Sequence, residues 1–314
     1  MALAFDSLAT TTLQLVRPRI ADNVFLANAA GFWFLANGRV KIEGGGTQIE
    51  EPLEYAKNDT ARSYSGWGKL NVKATDEFTS AVYSWKQFAG SVSISGLEGE
   101  VKNSGAQAQF NLLRRKIVNL EMSLKEFFNE MLLGDAAAKA ADDFLGLDNL
   151  VEDVASGAQG TVGGINRQLY PWWENQVDLA VPTASLTSRL RSFVNTCSKG
   201  IARPDLLLST QALYEAYEDQ NAGKQIIRDN KLLDVGFENL RFKGITWMWD
   251  ELVLNNHLYV LNSDFINVTI HRNRNFAMTP FQKPIDQDGK IAQILTAGNM
   301  TLNNSRHQGV MTFI

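Results

Sequence analysis

The strongest pattern of apolar positions in the chain lies between residues 103 and 133. Its apolar residues recur at alternating intervals of three and four positions: Phe110, Leu113, Ile117, Leu120, Leu124, Phe127 and Met131. That spacing places one apolar stripe along a single helix. Asn103 or Ser104 can cap its start and Gly134 its end, so the helix is roughly 45 Å long. A coiled coil is the alternative, but flanking heptads are lacking, and we predict one spine helix packed against a sheet.

Residues 31–97, which precede that helix, have the pattern of β structure. Apolar and polar residues alternate over 70–73 and 92–95, and Asn37-Gly38 signals a tight turn. Three consecutive glycines predict a hinge: Gly44, Gly45 and Gly46. A long two-stranded excursion cannot cover both of its own faces, so we expect a second subunit to cover it. The residues predicted to make this contact are Arg62, Tyr64, Trp67, Lys69, Phe78 and Trp85.

The rest of the chain contains helical and strand patterns in separate runs. Helical patterns cover 185–196 and 210–219. Strand patterns cover 206–209, 245–249, 257–261, 265–271 and two segments within 291–313. This separation predicts the α+β class. Residues 1–30 show little periodicity and contain Arg17-Pro18-Arg19, which breaks a helix, so we expect an extended arm there.

Composition and charge narrow the possible functions. The chain has 314 residues, of which 45% are hydrophobic, so it can bury a sizeable core. Its net charge of -4 gives no basic surplus for binding nucleic acid. The single cysteine, Cys197, cannot form an internal disulfide. We find neither a signal-peptide pattern nor 18 consecutive apolar residues, and therefore expect a protein made in the cytoplasm with no membrane partner.

No motif for catalysis, a metal or a cofactor emerges. Gly157–Gly164 is rich in glycine but lacks a following Gly-Lys-Ser/Thr, and a mobile surface loop is the better interpretation. The three histidines, His257, His271 and His307, lack metal-ligand spacing. A Gly-x-Ser-x-Gly nucleophile turn is absent, and a structural, half-buried Cys197 is favoured over a reactive thiol. We therefore predict neither an enzyme nor a cofactor.

Two further groups of residues have both a functional and a structural interpretation. Arg114-Arg115-Lys116 is a basic patch on the predicted spine helix, suited to anionic cargo or a neighbouring subunit, or else a solvated face. Trp172-Trp173 and the Trp247/Trp249 pair could stack on bases. Packing in a core or a subunit contact is favoured for both pairs, and Trp172 and Trp173 join the predicted contact residues.

Several later segments have a recognisable amino-acid sequence and follow one another in a recognisable order. They are 144–151 followed by 160–164 and Trp172-Trp173, then 203–215, 237–244, 249–250, 259–262 and 306–313. Together with the arm, the β excursion and the long helix, these segments resemble the Hong Kong 97-type shell fold of tailed-bacteriophage major capsid proteins. The resemblance covers about residues 30–314.

The resemblance implies a division of the chain into parts. These are an N-terminal arm (1–30), an extended β loop region (31–97), a peripheral lobe with the spine helix (98–150 and 270–314) and an axial lobe (151–269). Lys57 and Lys69 lie in the extended loop, but the rest of a cross-linking arrangement is lacking, so we predict no isopeptide bond.

The resemblance also implies a function. The chain would self-assemble into hexamers and pentamers of an icosahedral head that encloses viral double-stranded DNA without sequence-specific binding. Its other partners would be a separate scaffolding protein and a portal. It would assemble in the host cytoplasm and reside in the virion. The alternatives are a nanocompartment shell protein of the same fold and a phage tail structural protein.

Overall fold

The computed structural model describes residues 29–97, 106–220 and 240–314. The predicted arm lies outside the described residues except for its last two positions, and the side chain of Phe110 lies outside them too. The helices are α1 (Ala29–Ala36), α2 (Ala106–Leu133), α3 (Leu147–Leu150), α4 (Leu186–Cys197) and α5 (Gln211–Gln220). The strands are β1 (Val40–Glu43), β2 (Ile49–Glu54), β3 (Phe78–Tyr83), β4 (Lys86–Ser95), β5 (Thr161–Val162), β6 (Ile165–Asn166), β7 (Gln176–Val181), β8 (Leu206–Ser209), β9 (Leu240–Phe242), β10 (Ile245–Trp249), β11 (His257–Leu261), β12 (Ile266–His271), β13 (Ala277–Met278), β14 (Gly289–Leu302) and β15 (Gly309–Phe313).

Strand β14 is the centre of a five-stranded sheet. It pairs antiparallel with β4 along 289–298, with β12 along 298–302 and with β13 at 294–295. Strand β1 adds to β12 in parallel. The two ends of the extended region, β1 and β4, are therefore built into a sheet whose other strands come from much later in the chain.

The second sheet has six strands in the order β7-β15-β11-β8-β10-β9. Successive side chains of a strand point to opposite faces, and here both faces are covered. Leu206 and Leu208 of β8 join a core shared with α2 and the five-stranded sheet, whereas Leu207 packs with α4 and α5. This double burial explains why β8 is an uninterrupted apolar run rather than an alternating one.

Helix α2 is the predicted spine, and it lies on β4 of the five-stranded sheet. A Cβ at Gly90 of β4 would come within 2.5 Å of Leu120 Cδ1, so the absence of a side chain there permits the close approach. The stripe members Leu113, Ile117, Leu124 and Met131 are buried and Leu120 is half-buried. Residue Phe127 departs from the stripe.

The stripe passes through Phe128 rather than Phe127. Phe128 is fully buried, whereas Phe127 is 37% exposed. A strict alternation of three and four has a period of 3.5, but a straight helix turns every 3.6 residues, so the stripe rotates by roughly 20° per heptad relative to the face that meets the sheet. In the third heptad this rotation turns Phe127 away from the sheet and favours Phe128. Phe128 meets Phe88 and Phe276 in an aromatic cluster at the foot of the helix.

Three other expectations differ from the structure. The start of the region expected to be β structure, residues 31–36, is helical and belongs to α1. Residues 70–73 form no strand, because they lie in a connection exposed on both sides, where no neighbouring strand pairs with them within the described ranges. Strand β15 belongs to the six-stranded sheet and β12 to the five-stranded sheet. The boundary expected between residues 269 and 270 falls inside β12, and β15, which lies in the expected peripheral lobe, pairs with β7 and β11 of the expected axial lobe. The division into lobes otherwise stays a prediction.

Candidate assembly surfaces

The extended region forms a two-stranded ribbon with an exposed tip. Strands β2 and β3 pair antiparallel from Ile49 opposite Tyr83 to Glu54 opposite Phe78. In the connection between them, residues 56–75 are exposed at all positions but Ala56 and Thr60. The connection presents large apolar side chains to solvent: Tyr64, Trp67, Leu70 and Val72. Such a cluster of exposed apolar side chains marks an interaction surface.

Trp67 is the most prominent of these side chains, with an exposure of 104%. It sits in a tight turn that is closed by a 3.0 Å hydrogen bond from the main-chain N–H of Gly68 to the carbonyl of Ser65. Gly66, in the same turn, has a φ of +53°, a conformation that favours glycine. The guanidinium of Arg62 donates a 2.6 Å hydrogen bond to the carbonyl of Lys69 and braces the tip. The predicted contact residues Arg62, Tyr64, Trp67 and Lys69 thus lie together on one loop.

The base of the ribbon is tied to its own subunit by a buried carboxylate. Glu51 is only 4% exposed. Its carboxylate lies 3.0 Å from the ammonium of Lys41 and accepts a 2.8 Å hydrogen bond from the hydroxyl of Thr301. The amide of Asn267 donates a further bond of 3.4 Å. Because a buried charge is costly unless it is paired and hydrogen-bonded, these three partners fix β2 against β1, β12 and β14.

Strand β3 is fixed in a similar way. The hydroxyl of Tyr83 donates a 2.8 Å hydrogen bond to the carbonyl of Leu302, and burial raises the pKa of this phenol above its ordinary value. The main-chain N–H of Val82 donates a 2.9 Å bond to the carbonyl of Gly163 in the β5–β6 turn. The short hairpin therefore clamps the ribbon from the side.

The predicted contact residues Trp172 and Trp173 have different environments. The indole of Trp173 is buried and its Nε1 donates a 3.0 Å hydrogen bond to the carbonyl of Val162. It is part of the subunit's own core, so its assignment to a subunit contact was wrong. Trp172 is half-buried and stacks on Tyr55 at the ribbon base, with ring centroids 5.5 Å apart. Side-chain burial of this kind is set by the packing of distant segments, which sequence spacing does not encode.

A groove of about 410 Å³ opens between the ribbon base and the β5–β6 hairpin. Its lining includes four aromatic side chains and one carboxylate: Tyr55, Asp76, Phe78, Tyr170 and Trp172. Phe78, another predicted contact residue, is 70% exposed at its edge. The volume lies within the range of pockets that hold small apolar groups.

The three glycines of the predicted hinge join β1 to β2. Gly45 and Gly46 have φ values of +127° and +151°, which only glycine adopts without strain. The carbonyl of Gly46 accepts a 3.0 Å hydrogen bond from Trp85 Nε1, and the Trp85 ring meets His271 edge-on. Trp85 is thus engaged within its own chain. Hinge motion at Gly44–Gly46 stays a prediction.

The glycine-rich segment expected to be a mobile loop is held by side chains. Glu174 accepts a 2.7 Å hydrogen bond from the N–H of Gly157, and Glu152 accepts a 2.6 Å bond from the N–H of Gly160. No phosphate-loop function is needed to explain the glycines, because the main-chain groups are already engaged. This arrangement could not be predicted from the sequence, because the positions of Glu152 and Glu174 match no known motif.

Beneath that segment lies Arg167, a fully buried residue that the sequence did not single out. Its guanidinium donates hydrogen bonds to the carbonyl of Leu150 at 2.5 Å, to Ser305 Oγ at 2.9 Å and to Asn175 Oδ1 at 3.1 Å. The carboxylate of Glu152 lies 3.8 Å away. Burial lowers the pKa of Arg167. The planar guanidinium thus links its own segment to three others, 150–152, Asn175 and Ser305.

The solvent side of α2 is a second exposed surface. Arg114, Arg115, Val118, Asn119 and Met122 line a shallow groove of about 480 Å³ there. Val118 and Met122 are exposed apolar side chains, and the two arginines make the surface basic. Lys116, the third residue of the predicted basic patch, instead donates a 2.8 Å hydrogen bond to the carbonyl of Ser93.

The residues considered for chemistry are accounted for by packing. Cys197 is buried, which raises the pKa of its thiol to about 12 and disfavours the reactive thiolate. His257 pairs with Asp153 at 3.1 Å, and His307 is buried against the carbonyl of Cys197. Within 29–97, 106–220 and 240–314, no three His, Cys, Asp or Glu side chains are grouped as metal ligands. In the same part of the chain, no helix has the length and apolar character needed to cross a membrane.

Similarity to solved structures defines the class to which this fold belongs. The chain has the Hong Kong 97-type fold of tailed-phage shell proteins, with two sheets, a spine helix and an extended loop. It is similar to a subunit in the capsid asymmetric unit of cyanophage A-1(L), with a TM-score of 0.66, 16% identity, and coverage of 88% of this chain and 90% of that one.

Two further capsid structures are similar over nearly the whole chain. The capsid of Myoviridae phage XM1 gives a TM-score of 0.58 at 11% identity, covering 90% of this chain and 92% of that one. The capsid of a native GTA particle gives 0.57 at 9% identity, covering 88% and 89%. No family model matches the sequence, and no curated protein sequence matches it. At these identities the comparisons establish the fold.

Proposed function

We propose that this chain is the major capsid protein of a tailed bacteriophage. It assembles into hexamers and pentamers of an icosahedral head, encloses double-stranded DNA without reading its sequence, and catalyses no reaction. The similarity to capsid subunits over almost the full length of both chains carries this proposal. The ribbon supports it, because its exposed tip bears apolar side chains that a monomer leaves uncovered.

The proposal also covers the partners of the chain during assembly and its final location. A separate scaffolding protein and a portal take part in assembly in the host cytoplasm, and the finished product is the virion. The net charge of -4 fits a container wall that does not adhere to its polyanionic contents. An extended element that reaches a neighbour makes a head-to-tail contact, and such contacts close into rings.

Electron microscopy of the purified chain, produced with its scaffolding partner where that is required, tests the proposal. We expect closed shells built from pentamers and hexamers. A variant in which residues 57–75 are replaced by Asn-Gly keeps β2, β3 and β4 and should give a folded subunit without shells. The control variant Ile285→Ser alters an equally exposed side chain elsewhere and should still give shells.

Three outcomes would contradict the proposal. A compact monomer under all assembly conditions would exclude a shell protein. Tubes without pentamers would favour a tail structural protein. Shells that contain an enzyme and no DNA when isolated from the natural host would favour a nanocompartment.

A further inference from the structure

The ribbon has opposite charges in its tip and in the two-stranded part that carries the tip. The tip, residues 56–75, contains four basic residues and one acidic residue, a net charge of +3. The base, residues 49–54 and 76–83, contains five acidic residues and no basic one. Glu50, Glu54 and Asp76 of the base are exposed, as are Lys69 and Lys73 of the tip. The tip of one copy is therefore complementary in charge to the stranded part of another.

We propose that the tip of one subunit docks into the aromatic groove at the ribbon base of the next subunit, with Trp67 as its central side chain. This inference rests on the proposed function and names the acceptor site for the ribbon tip. It is a contact of tip to base, so that each subunit both donates a tip and accepts one. Repetition of such a contact closes a ring.

The groove suits an indole flanked by cations. The rings of Tyr55, Phe78, Tyr170 and Trp172 are part of its lining, as is the exposed Asp76. Aromatic rings favour offset or edge-to-face contact with another ring. Tryptophan is also the residue type most enriched at the energetic centres of interfaces. Trp67 is wholly exposed in its own subunit, so it does not fill the groove of its own chain.

Charge also distinguishes the groove from the other exposed apolar surface. The solvent side of α2 around Val118 and Met122 carries Arg114 and Arg115, which would oppose the basic tip. Juxtaposed like charges disfavour a wrong partner, whereas complementary charges steer the approach and fix the register. The acidic ribbon base is therefore the better acceptor.

Photocrosslinking in assembled shells tests the contact. p-Benzoylphenylalanine is placed at position 67, where it keeps an aromatic group, and at position 285 as an exposed control. Shells are assembled from a mixture of isotopically labelled and unlabelled chains. We expect crosslinks from position 67 to peptides that contain residues 55, 78 or 163–172 of a different copy, and none to these peptides from position 285.

Charge reversal provides an independent measurement. Lys69→Glu and Asp76→Lys should each raise the subunit concentration needed for assembly, and the double variant should restore it towards the original value. Trp67→Ala should raise that concentration roughly 30-fold, whereas Ile285→Ala should leave it within about twofold.

The outcomes separate this contact from the proposed function. Shells whose crosslinks from position 67 fall on α2 or on any other surface would overturn the contact and leave the shell function intact. Failure of the double charge reversal to restore assembly, with both single variants folded, would also overturn it. An unmodified chain that forms no shells would overturn both.

Discussion

The main-chain N–H of Val82 donates its 2.9 Å hydrogen bond to the carbonyl of Gly163, so a turn of the β5–β6 hairpin touches the ribbon directly. Gly163 has a φ of +61°, and a Cβ there would lie 2.8 Å from Ala81 Cβ and 3.0 Å from Tyr83 Oη. Glycine is thus required both by the backbone conformation and by the space available. This contact sets where the ribbon leaves the body of the subunit.

We predict that Gly163→Ala lowers the free energy of unfolding by about 2–4 kcal/mol, because it adds a steric clash to the left-handed backbone. Gly164→Ala is the matched control: its φ is +75°, but nothing lies within 4 Å of the added Cβ. The control should lose about 1 kcal/mol from the backbone alone. Urea denaturation measures both values. Equal losses would mean that the hairpin can withdraw from the ribbon at no cost.

Neighbouring phenylalanines on α2 offer a second test. Phe128→Ala should lower the free energy of unfolding by about 3–5 kcal/mol, because it leaves a cavity in the aromatic cluster. Phe127→Ala should cost about 1 kcal/mol, since this ring is already 37% exposed. Thermal or urea unfolding of the two variants provides the comparison. A larger loss of unfolding free energy for Phe127→Ala than for Phe128→Ala would contradict this assignment. It would mean that Phe127 belongs to the buried face, as the strict alternation of three and four predicts.

The fully buried guanidinium of Arg167 should be among the most sensitive polar sites. Arg167→Leu leaves the carbonyl of Leu150 and the side chains of Ser305 and Asn175 without their donor, and we expect a loss of about 3–5 kcal/mol of unfolding free energy. The control is Arg189→Leu, which removes the exposed ion pair with Asp178 and should cost less than about 1 kcal/mol. Similar losses at the two sites, measured by urea denaturation, would contradict the role assigned to Arg167.

Acid should destabilise the fold through His307. Burial lowers the pKa of this imidazole, whose Nδ1–H donates a 2.9 Å hydrogen bond to the carbonyl of Cys197 and whose ring stacks on Phe265. The carbonyl can only accept, so the Nδ1 atom carries the proton. In the unfolded chain the imidazole has its ordinary pKa near 6.5 and takes up a proton first as the pH falls. The contribution of the neutral imidazole to folding stability is therefore complete above about pH 6.5, and it is lost as the pH falls towards the lower pKa of the folded state.

The measurement compares the unmodified chain with His307→Gln between about pH 7.5 and about pH 5.5. The stability advantage of the unmodified chain over the variant should shrink as the pH falls. Burial raises the pKa of Asp205 and of Asp250, which has the opposite effect on stability in acid, but both carboxyls are present in both proteins. A pH-independent difference would show that His307 does not titrate differently in the folded and unfolded chains.

Much of the local structure could be predicted because it depends on local patterns. The spine helix expected over 103–133 is observed over Ala106–Leu133, and the buried strand and helix expected over 206–219 are observed as β8 and α5. Each of these segments has an apolar pattern that matches the period of its own backbone. The α+β class and the Hong Kong 97-type fold are likewise confirmed.

The surfaces were harder to predict, because burial depends on distant parts of the chain. Trp172 and Trp173 are adjacent in sequence, yet one stacks on the ribbon and the other is in the core. The alternation of apolar and polar residues at 70–73 is typical of a strand, but no partner strand pairs with these residues in the described structure. The buried role of Arg167 could not be predicted, because a single arginine in the sequence does not indicate that its partners come from three distant segments.

Both sheets take strands from segments that are far apart in the chain. Strand β1 pairs with β12 and β4 with β14, while β7 and β8 share their sheet with β11 and β15. The entropy cost of closing long loops must be met before such strands can pair, and this makes folding slow. The five-stranded sheet takes its strands from between Val40 and Leu302, and the six-stranded sheet takes its strands from between Gln176 and Phe313. A cleavage between α4 and β8 would therefore divide both sheets, and neither half is expected to fold by itself.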